Sequence, residues 1–166
     1  MVEEDFDLKR ITREGLPRAI ERAKHYRLLN QPDLAESICL DVLEVEPDNQ
    51  EALVVTILAI TDQFADGGAS GMGRAREYLG RVTDDYQRSY YAGIIAERWA
   101  RAALKRGPAG KFAYNTMREA MDWFEKAALC RPAGNDDAIL RWNACVRAIR
   151  LHRLGPLPEE AELGLE

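Results

Sequence analysis

Residues 34–47 read LAESICLDVLEVEP, and residues 118–132 read REAMDWFEKAALCRP. Both segments follow one pattern: a small residue, three intervening residues, an apolar residue, two intervening residues, a second small residue, four intervening residues and a proline. Side chains at such spacings lie on one face of an α-helix, and proline ends a helix because it lacks a backbone N–H group. Each segment is therefore predicted to be an amphipathic helix. The residues that carry the pattern are Ala35, Cys39, Val42 and Pro47 in the first segment and Ala120, Phe124, Ala127 and Pro132 in the second.

Helical spacing recurs along the rest of the chain and predicts seven helices in all. Asp48 or Asn49 is suited to cap the third helix, which is apolar nearly all round and is expected to be the most buried. After it, residues 65–73 read ADGGASGMG, and the entropic cost of ordering glycine predicts a loop there. The predicted helices lie approximately at residues 16–29, 32–46, 52–64, 75–82, 90–106, 117–131 and 135–149.

The spacing shared by the two opening segments resembles that of the tetratricopeptide repeat. Residues 46–53, EPDNQEAL, are typical of the junction between two repeats of that family, and a weaker copy of the pattern lies between the two strong ones. The resemblance departs from the family at the glycine-rich segment, at an insertion around residues 106–113, and in the missing Trp-x2-Leu-Gly run. The weaker copy consists of Ala75, Leu79 and Val82.

The resemblance implies an all-α fold, a right-handed superhelix of antiparallel helix pairs. We expect three repeats, with the seventh helix as a cap. The first helix of each pair would line a concave groove. The expected organisation is an N-terminal tail at 1–12, the helical-repeat domain at 13–154, with repeats at 13–48, 49–86 and 87–133, and an acidic tail at 155–166.

Composition limits the classes of partner. The chain has 166 residues and a net charge of -5 with both signs interspersed, so it is expected to be one domain without a nucleic-acid partner. The opening MVEEDFDLKR lacks the pattern of a secretory signal, and the longest apolar-rich stretch, 52–60, is about half of a membrane span. We expect a soluble cytoplasmic protein without membrane insertion. The three cysteines, Cys39, Cys130 and Cys145, are predicted to be small buried residues in a reducing compartment.

Positive side chains on the first helices suggest a binding surface. Family members that hold a C-terminal carboxylate use Lys, Asn and Arg there, but the corresponding places include Ile20, Val54 and Val55 beside Lys24, so that clamp is incomplete. A positive edge suited to an acidic or C-terminal segment of a protein or peptide remains. The predicted contact residues are Lys24, Arg27, Arg98, Arg101 and Lys105, with Tyr90 as an aromatic anchor.

Each of these assignments has a structural alternative. The cations are as well explained as solvated charges paired with Glu21 and Glu97, and Tyr90, Tyr91 and Trp99 are as well explained by core packing. The functional alternative to a binding adaptor is a structural subunit, packed into a larger assembly or a homo-oligomer through an apolar helical face. A contiguous exposed apolar patch would favour the subunit.

No motif predicts catalysis, so we expect no enzyme activity, no metal and no cofactor. The run from Gly68 to Ala75 resembles a phosphate-binding loop, but Arg74 replaces the lysine and Ala75 replaces the hydroxyl that such a loop needs. The two histidines, His25 and His152, lie in no metal-ligand pattern. The carboxylates of Glu119, Asp122 and Glu125 lie near one helical face and are expected to be solvated.

Overall fold

The computed structural model of the chain describes residues 6–66 and 70–156. Within these two ranges the chain forms seven α-helices and a short 3-10 helix, with no β-strand. The predicted all-α fold is confirmed. The helices are α1 (Leu16–Leu28), α2 (Pro32–Val45), α3 (Gln50–Asp62), α4 (Ser70–Leu79), α5 (Asp85–Arg106), α6 (Gly110–Leu129) and α7 (Asp137–Leu151).

Local chemistry explains where several helices begin. Pro32 occupies the first turn of α2, where the missing N–H group costs nothing. The Asn49 side chain accepts a hydrogen bond at 2.9 Å from the backbone N–H of Ala52, which confirms the predicted cap of α3. Asp84 caps α5 in the same way, through Gln87 N–H at 2.8 Å.

The start of α4 differs from the prediction. Residues 70–73 were expected to belong to a glycine loop, but α4 begins at Ser70, so that part of the prediction is wrong. A Cβ atom at Gly71 would lie 3.3 Å from the Phe64 ring, so the glycine lets α4 pack closely against the end of α3. Residues 67–69 of the predicted loop lie outside the described residues.

Each helix packs against the next along the chain, and α3 also contacts both α1 and α5. The three residues between α1 and α2 are too few to span a helix, so these two helices run antiparallel. Eight of the thirteen residues of α3 are buried, which confirms that it is the most buried helix. The six non-proline residues of the repeated pattern are fully buried: Ala35, Cys39, Val42, Ala120, Phe124 and Ala127.

Helices α5 and α6 pack closely at Gly93. A Cβ atom at Gly93 would lie 2.5 Å from the Phe124 ring, so no larger residue fits there without a shift. These two helices have 22 and 20 residues, joined by residues 107–109. The insertion expected around residues 106–113 is therefore mostly additional helix.

Two further expectations need correction. Cys130 is exposed, because α6 ends one residue before it, whereas Cys39 and Cys145 are buried as predicted. Helical spacing predicts that large residues, Leu140 and Trp142 among them, form the buried face of α7; Val146 and Ile149 pack against the core but are only partly buried, and the fully buried residues are small. In the N-terminal segment, Ile11 contacts the core. The buried residues of α7 are Ala138, Cys145 and Ala148, while Leu140 and Trp142 are exposed.

Candidate functional site

Four of the five predicted cations take part in ion pairs, and three of them, Lys24, Arg27 and Arg98, pair with a carboxylate of another odd-numbered helix. Lys24 of α1 lies 2.9 Å from Glu21 and also pairs with Glu51 of α3. The hydrogen bonds to Glu51 and then Glu21 raise the pKa of Lys24 above its usual value. We call this surface the odd-helix face, formed by Lys24 and Arg27 of α1, Glu51 and Asp62 of α3, and Glu97, Arg98, Arg101 and Lys105 of α5.

Asp62, at the end of α3, holds two arginines. Its Oδ2 lies 2.7 Å from Arg27 Nε, and its Oδ1 lies 2.7 Å from Arg98 Nη1. Arg98 also donates to the Leu58 carbonyl at 3.1 Å and to Thr61 Oγ1 at 2.7 Å. Cations at the carboxyl end of a helix compensate its dipole, so both arginines stabilise the end of α3.

A second carboxylate, Glu97, is fully buried. Its Oε1 accepts hydrogen bonds from Arg101 Nε at 3.0 Å and Nη2 at 2.9 Å. Its Oε2 lies 3.6 Å from Arg141 Nη1 of α7 and has no hydrogen-bond partner among the described residues. The series of charges therefore continues from α1 through α3 and α5 to α7.

A hollow of about 230 Å³ opens on this face where α3 and α5 end. Lys105 is at its wall, and within residues 6–66 and 70–156 it has no ion-pair partner. Arg101 is also accessible, with 41% of its side chain exposed although it binds Glu97. The lining residues are Thr61, Asp62, Phe64, Ala65, Arg98, Arg101, Ala102 and Lys105.

Tyr90 lies elsewhere. Its ring is stacked on that of Tyr86, with centroids 5.7 Å apart, and lies 5.8 Å from that of Phe124. It packs against the core formed by α5, α6 and α7, which agrees with the alternative prediction that Tyr90 is a core residue and not a binding anchor. Tyr91 is closer to the cations: burial raises its pKa, and the charges of Arg27 and Arg98 partly oppose that rise.

The structure therefore brings part of the predicted set of residues together. Arg27 and Arg98 share one carboxylate, Lys24 pairs with a carboxylate at the other end of the same helix, and Arg101 pairs with one on its own helix. Lys105 lines the same hollow as Arg98 and Arg101. The alternative pairs with Glu21 and Glu97 both exist, but Glu97 is buried rather than solvated. Sequence reasoning missed Glu51, Asp62 and Arg141, which are the acidic and basic links between helices. Spacing offers no signal for them, because each partner lies on another helix.

Comparison of the chain with models of protein families, with curated proteins and with solved structures finds no match. Across residues 6–66 and 70–156, no group of three or more His, Cys, Asp or Glu side chains is placed to hold a metal ion. None of the described helices combines the length and the apolar character needed to cross a bilayer.

Proposed function

We propose that this chain is a protein- or peptide-binding adaptor or scaffold, built as a tetratricopeptide-like solenoid with a right-handed superhelical course. Two features support this proposal. The residues of the repeated pattern are buried at helix contacts, and α3 touches both α1 and α5, as stacked helix pairs require. We place its work in the cytoplasm, without catalysis and without nucleic acid.

The observation that carries the proposal is the hollow on the odd-helix face. Cations outnumber carboxylates on this face although the whole chain has a net charge of -5. Lys105, which has no ion-pair partner within residues 6–66 and 70–156, can bind an incoming carboxylate, and the accessible Arg101 can share one. An acidic or C-terminal peptide segment is the ligand that this arrangement fits, because charge complementarity favours its encounter and orientation.

Binding to an array of acidic peptides, each with a free and an amidated C-terminus, tests this function. We expect a subset to bind, and Lys105→Glu to weaken their binding by about tenfold. Lys9→Glu is the matched control, because it makes the same charge change on an exposed residue of the N-terminal segment. Equal binding by all three proteins would show that the hollow is not the site.

A structural subunit remains the second candidate, and α7 supplies the observation that favours it. A helix that caps a solenoid normally has a polar outer face. Here Leu140, Trp142 and Leu151 are 62%, 37% and 78% exposed. Leu140→Glu should abolish assembly of a subunit packed through α7, as measured by size-exclusion chromatography of its complexes, and should leave an adaptor's peptide binding unchanged.

A further inference from the structure

A larger cavity than the hollow on the odd-helix face lies on α4, α5 and α6. It has a volume of about 650 Å³, within the range of about 300–1,000 Å³ that is common for binding pockets. We call it the α6 groove. Its lining residues are Arg76, Leu79, Gly80, Asp85, Arg88, Ser89, Ala92, Trp123, Lys126, Leu129 and Cys130.

The α6 groove combines an apolar floor with a positive rim. Leu129 is 86% exposed, so much apolar surface there is in contact with water. Lys126 Nζ lies 5.1 Å from the centre of the Trp123 ring and remains available for a carboxylate. Arg76 and Arg88 add two cations against the one carboxylate of Asp85 among the lining residues, although Arg76 also lies 3.8 Å from Glu119 and Arg88 donates to the Val82 carbonyl at 3.0 Å. An extended segment with apolar and acidic side chains would complement this surface.

The chain itself carries such a segment at its N-terminal arm, residues 6–12, which has no regular secondary structure. Phe6 is 80% exposed and Leu8 is 92% exposed, and Asp7 lies between them. The sequence that precedes them, VEED, adds three carboxylates. Residues 1–10 therefore carry two apolar anchors and four carboxylates, which outnumber the two cations of Lys9 and Arg10, and this combination matches the apolar and positive side chains of the α6 groove.

In its own chain the arm lies beside α2. Leu8, Lys9 and Arg10 line a shallow cavity against α2, together with Leu40, Asp41 and Glu44. That helix packs against α1 and α3, whereas the α6 groove is built from α4, α5 and α6. A second copy of the chain is accordingly the better source of the occupant.

We propose that the α6 groove of one copy binds the N-terminal arm of a second copy, with Phe6 and Leu8 in contact with Leu79, Trp123 and Leu129. Asp7, with the carboxylates that precede it in the sequence, then supplies the negative charge opposite Arg76, Arg88 and Lys126. Two copies that exchange arms form a closed dimer, whereas one-way binding joins copies into a ring or an open chain. This interface is separate from the odd-helix face and does not depend on the peptide-binding function.

A synthetic peptide of residues 1–10 with a fluorescent label, titrated with the full-length protein and followed by anisotropy, tests the proposal. We expect saturable binding that weakens as salt increases. The same peptide with Phe6→Ser and Leu8→Ser keeps every charge and should bind at least about tenfold more weakly. A peptide of residues 156–166, which is also acidic and leucine-containing, is the competing occupant.

Two protein variants locate the binding site. Leu129→Asp in the α6 groove should weaken binding of the 1–10 peptide by at least about tenfold. Leu28→Asp is the matched control, because Leu28 also ends a helix, is 85% exposed and lies outside the α6 groove. Both side chains are exposed, so neither variant should unfold the protein, which circular dichroism checks.

Sedimentation equilibrium completes the test. The unmodified protein should associate with increasing concentration, and Phe6→Ser/Leu8→Ser should weaken that association. Four results overturn the proposal: absence of peptide binding, equal weakening by Leu129→Asp and Leu28→Asp, tighter binding of the 156–166 peptide, or a protein that stays monomeric throughout the concentration series.

Discussion

The odd-helix face and the α6 groove share α5, but they differ in how far the chain satisfies its own side chains. On the odd-helix face, Asp62 and Glu97 neutralise cations from three helices, and one of these carboxylates is fully buried. In the α6 groove, Leu129 remains exposed, and Lys126 contacts the Trp123 ring and has no ion-pair partner among the described residues. The charges of the odd-helix face are therefore largely paired within the chain, whereas the exposed apolar surface of the α6 groove would be stabilised by contact with a partner.

The largest expected effect on the free energy of unfolding is at the contact between α5 and α6. Gly93→Ala places a methyl group 2.5 Å from the Phe124 ring, so the ring or one of the two helices must shift. We expect a loss of about 3 kcal/mol in the free energy of unfolding, measured by urea denaturation. Gly73→Ala is the control, because that helical glycine has open space around it, and it should gain about 0.5–1 kcal/mol. Equal effects of the two changes would mean that α5 and α6 are not so close.

The next effect concerns the buried carboxylate of the odd-helix face. Glu97→Gln keeps the shape but removes the charge that Arg101 and Arg141 share. Both arginines are partly exposed and can regain water, so we expect a loss of about 1–2 kcal/mol rather than the full cost of breaking a buried pair. Thermal unfolding measures this against Glu21→Gln, whose carboxylate is 70% exposed. A similar stability for the two variants would contradict the burial of Glu97.

A smaller effect is expected at the exposed end of the same face. Lys24→Met removes the pairs with Glu21 and Glu51, which lie at 70% and 54% side-chain exposure. Exposed pairs are screened by salt, so the free energy of unfolding should fall by about 0.5 kcal/mol or less. Urea denaturation at low and high salt measures it. A loss of stability in Lys24→Met that is larger than the loss in Glu97→Gln would contradict the expectation that exposed ion pairs contribute less than buried ones.

The smallest expected effect on stability is that of modifying Cys130, because its side chain is exposed in the α6 groove. The same exposure predicts which cysteine reacts. Burial raises the pKa of Cys39 to about 11 and that of Cys145 to about 12, so both remain protonated and covered at about pH 8. Iodoacetamide should therefore label Cys130 alone in the folded protein, as mass spectrometry of tryptic peptides can show. Fast labelling of Cys39 or Cys145 would indicate that α2 or α7 opens.

Sequence spacing predicted the number and type of the helices, because each helix buries an apolar face that repeats every three or four residues. It failed where tertiary contacts decide the outcome. Gly71 is helical because it packs against Phe64, and glycine propensity contains no information about that contact. Cys130 is exposed because α6 ends just before it, and the ends of elements are poorly determined by pattern.

The candidate site was predicted as a set of cations but not as a network. Arg27 and Arg98 were identified, whereas their common partner Asp62 lies on a third helix, 35 and 36 residues away. Glu97 was named as a partner of solvated cations, whereas it is fully buried, and its second partner, Arg141, lies on α7. Pairing across helices follows from packing geometry, which a linear spacing does not contain.

The most direct test of the proposed function is the affinity of one acidic C-terminal peptide, selected from the array, for Lys105→Glu and for Leu129→Asp, by isothermal titration calorimetry. We predict that Lys105→Glu weakens binding by about tenfold while Leu129→Asp leaves it unchanged, because the ligand lies in the hollow on the odd-helix face. Binding that is lost in Leu129→Asp and retained in Lys105→Glu would contradict this and would assign peptide recognition to the α6 groove.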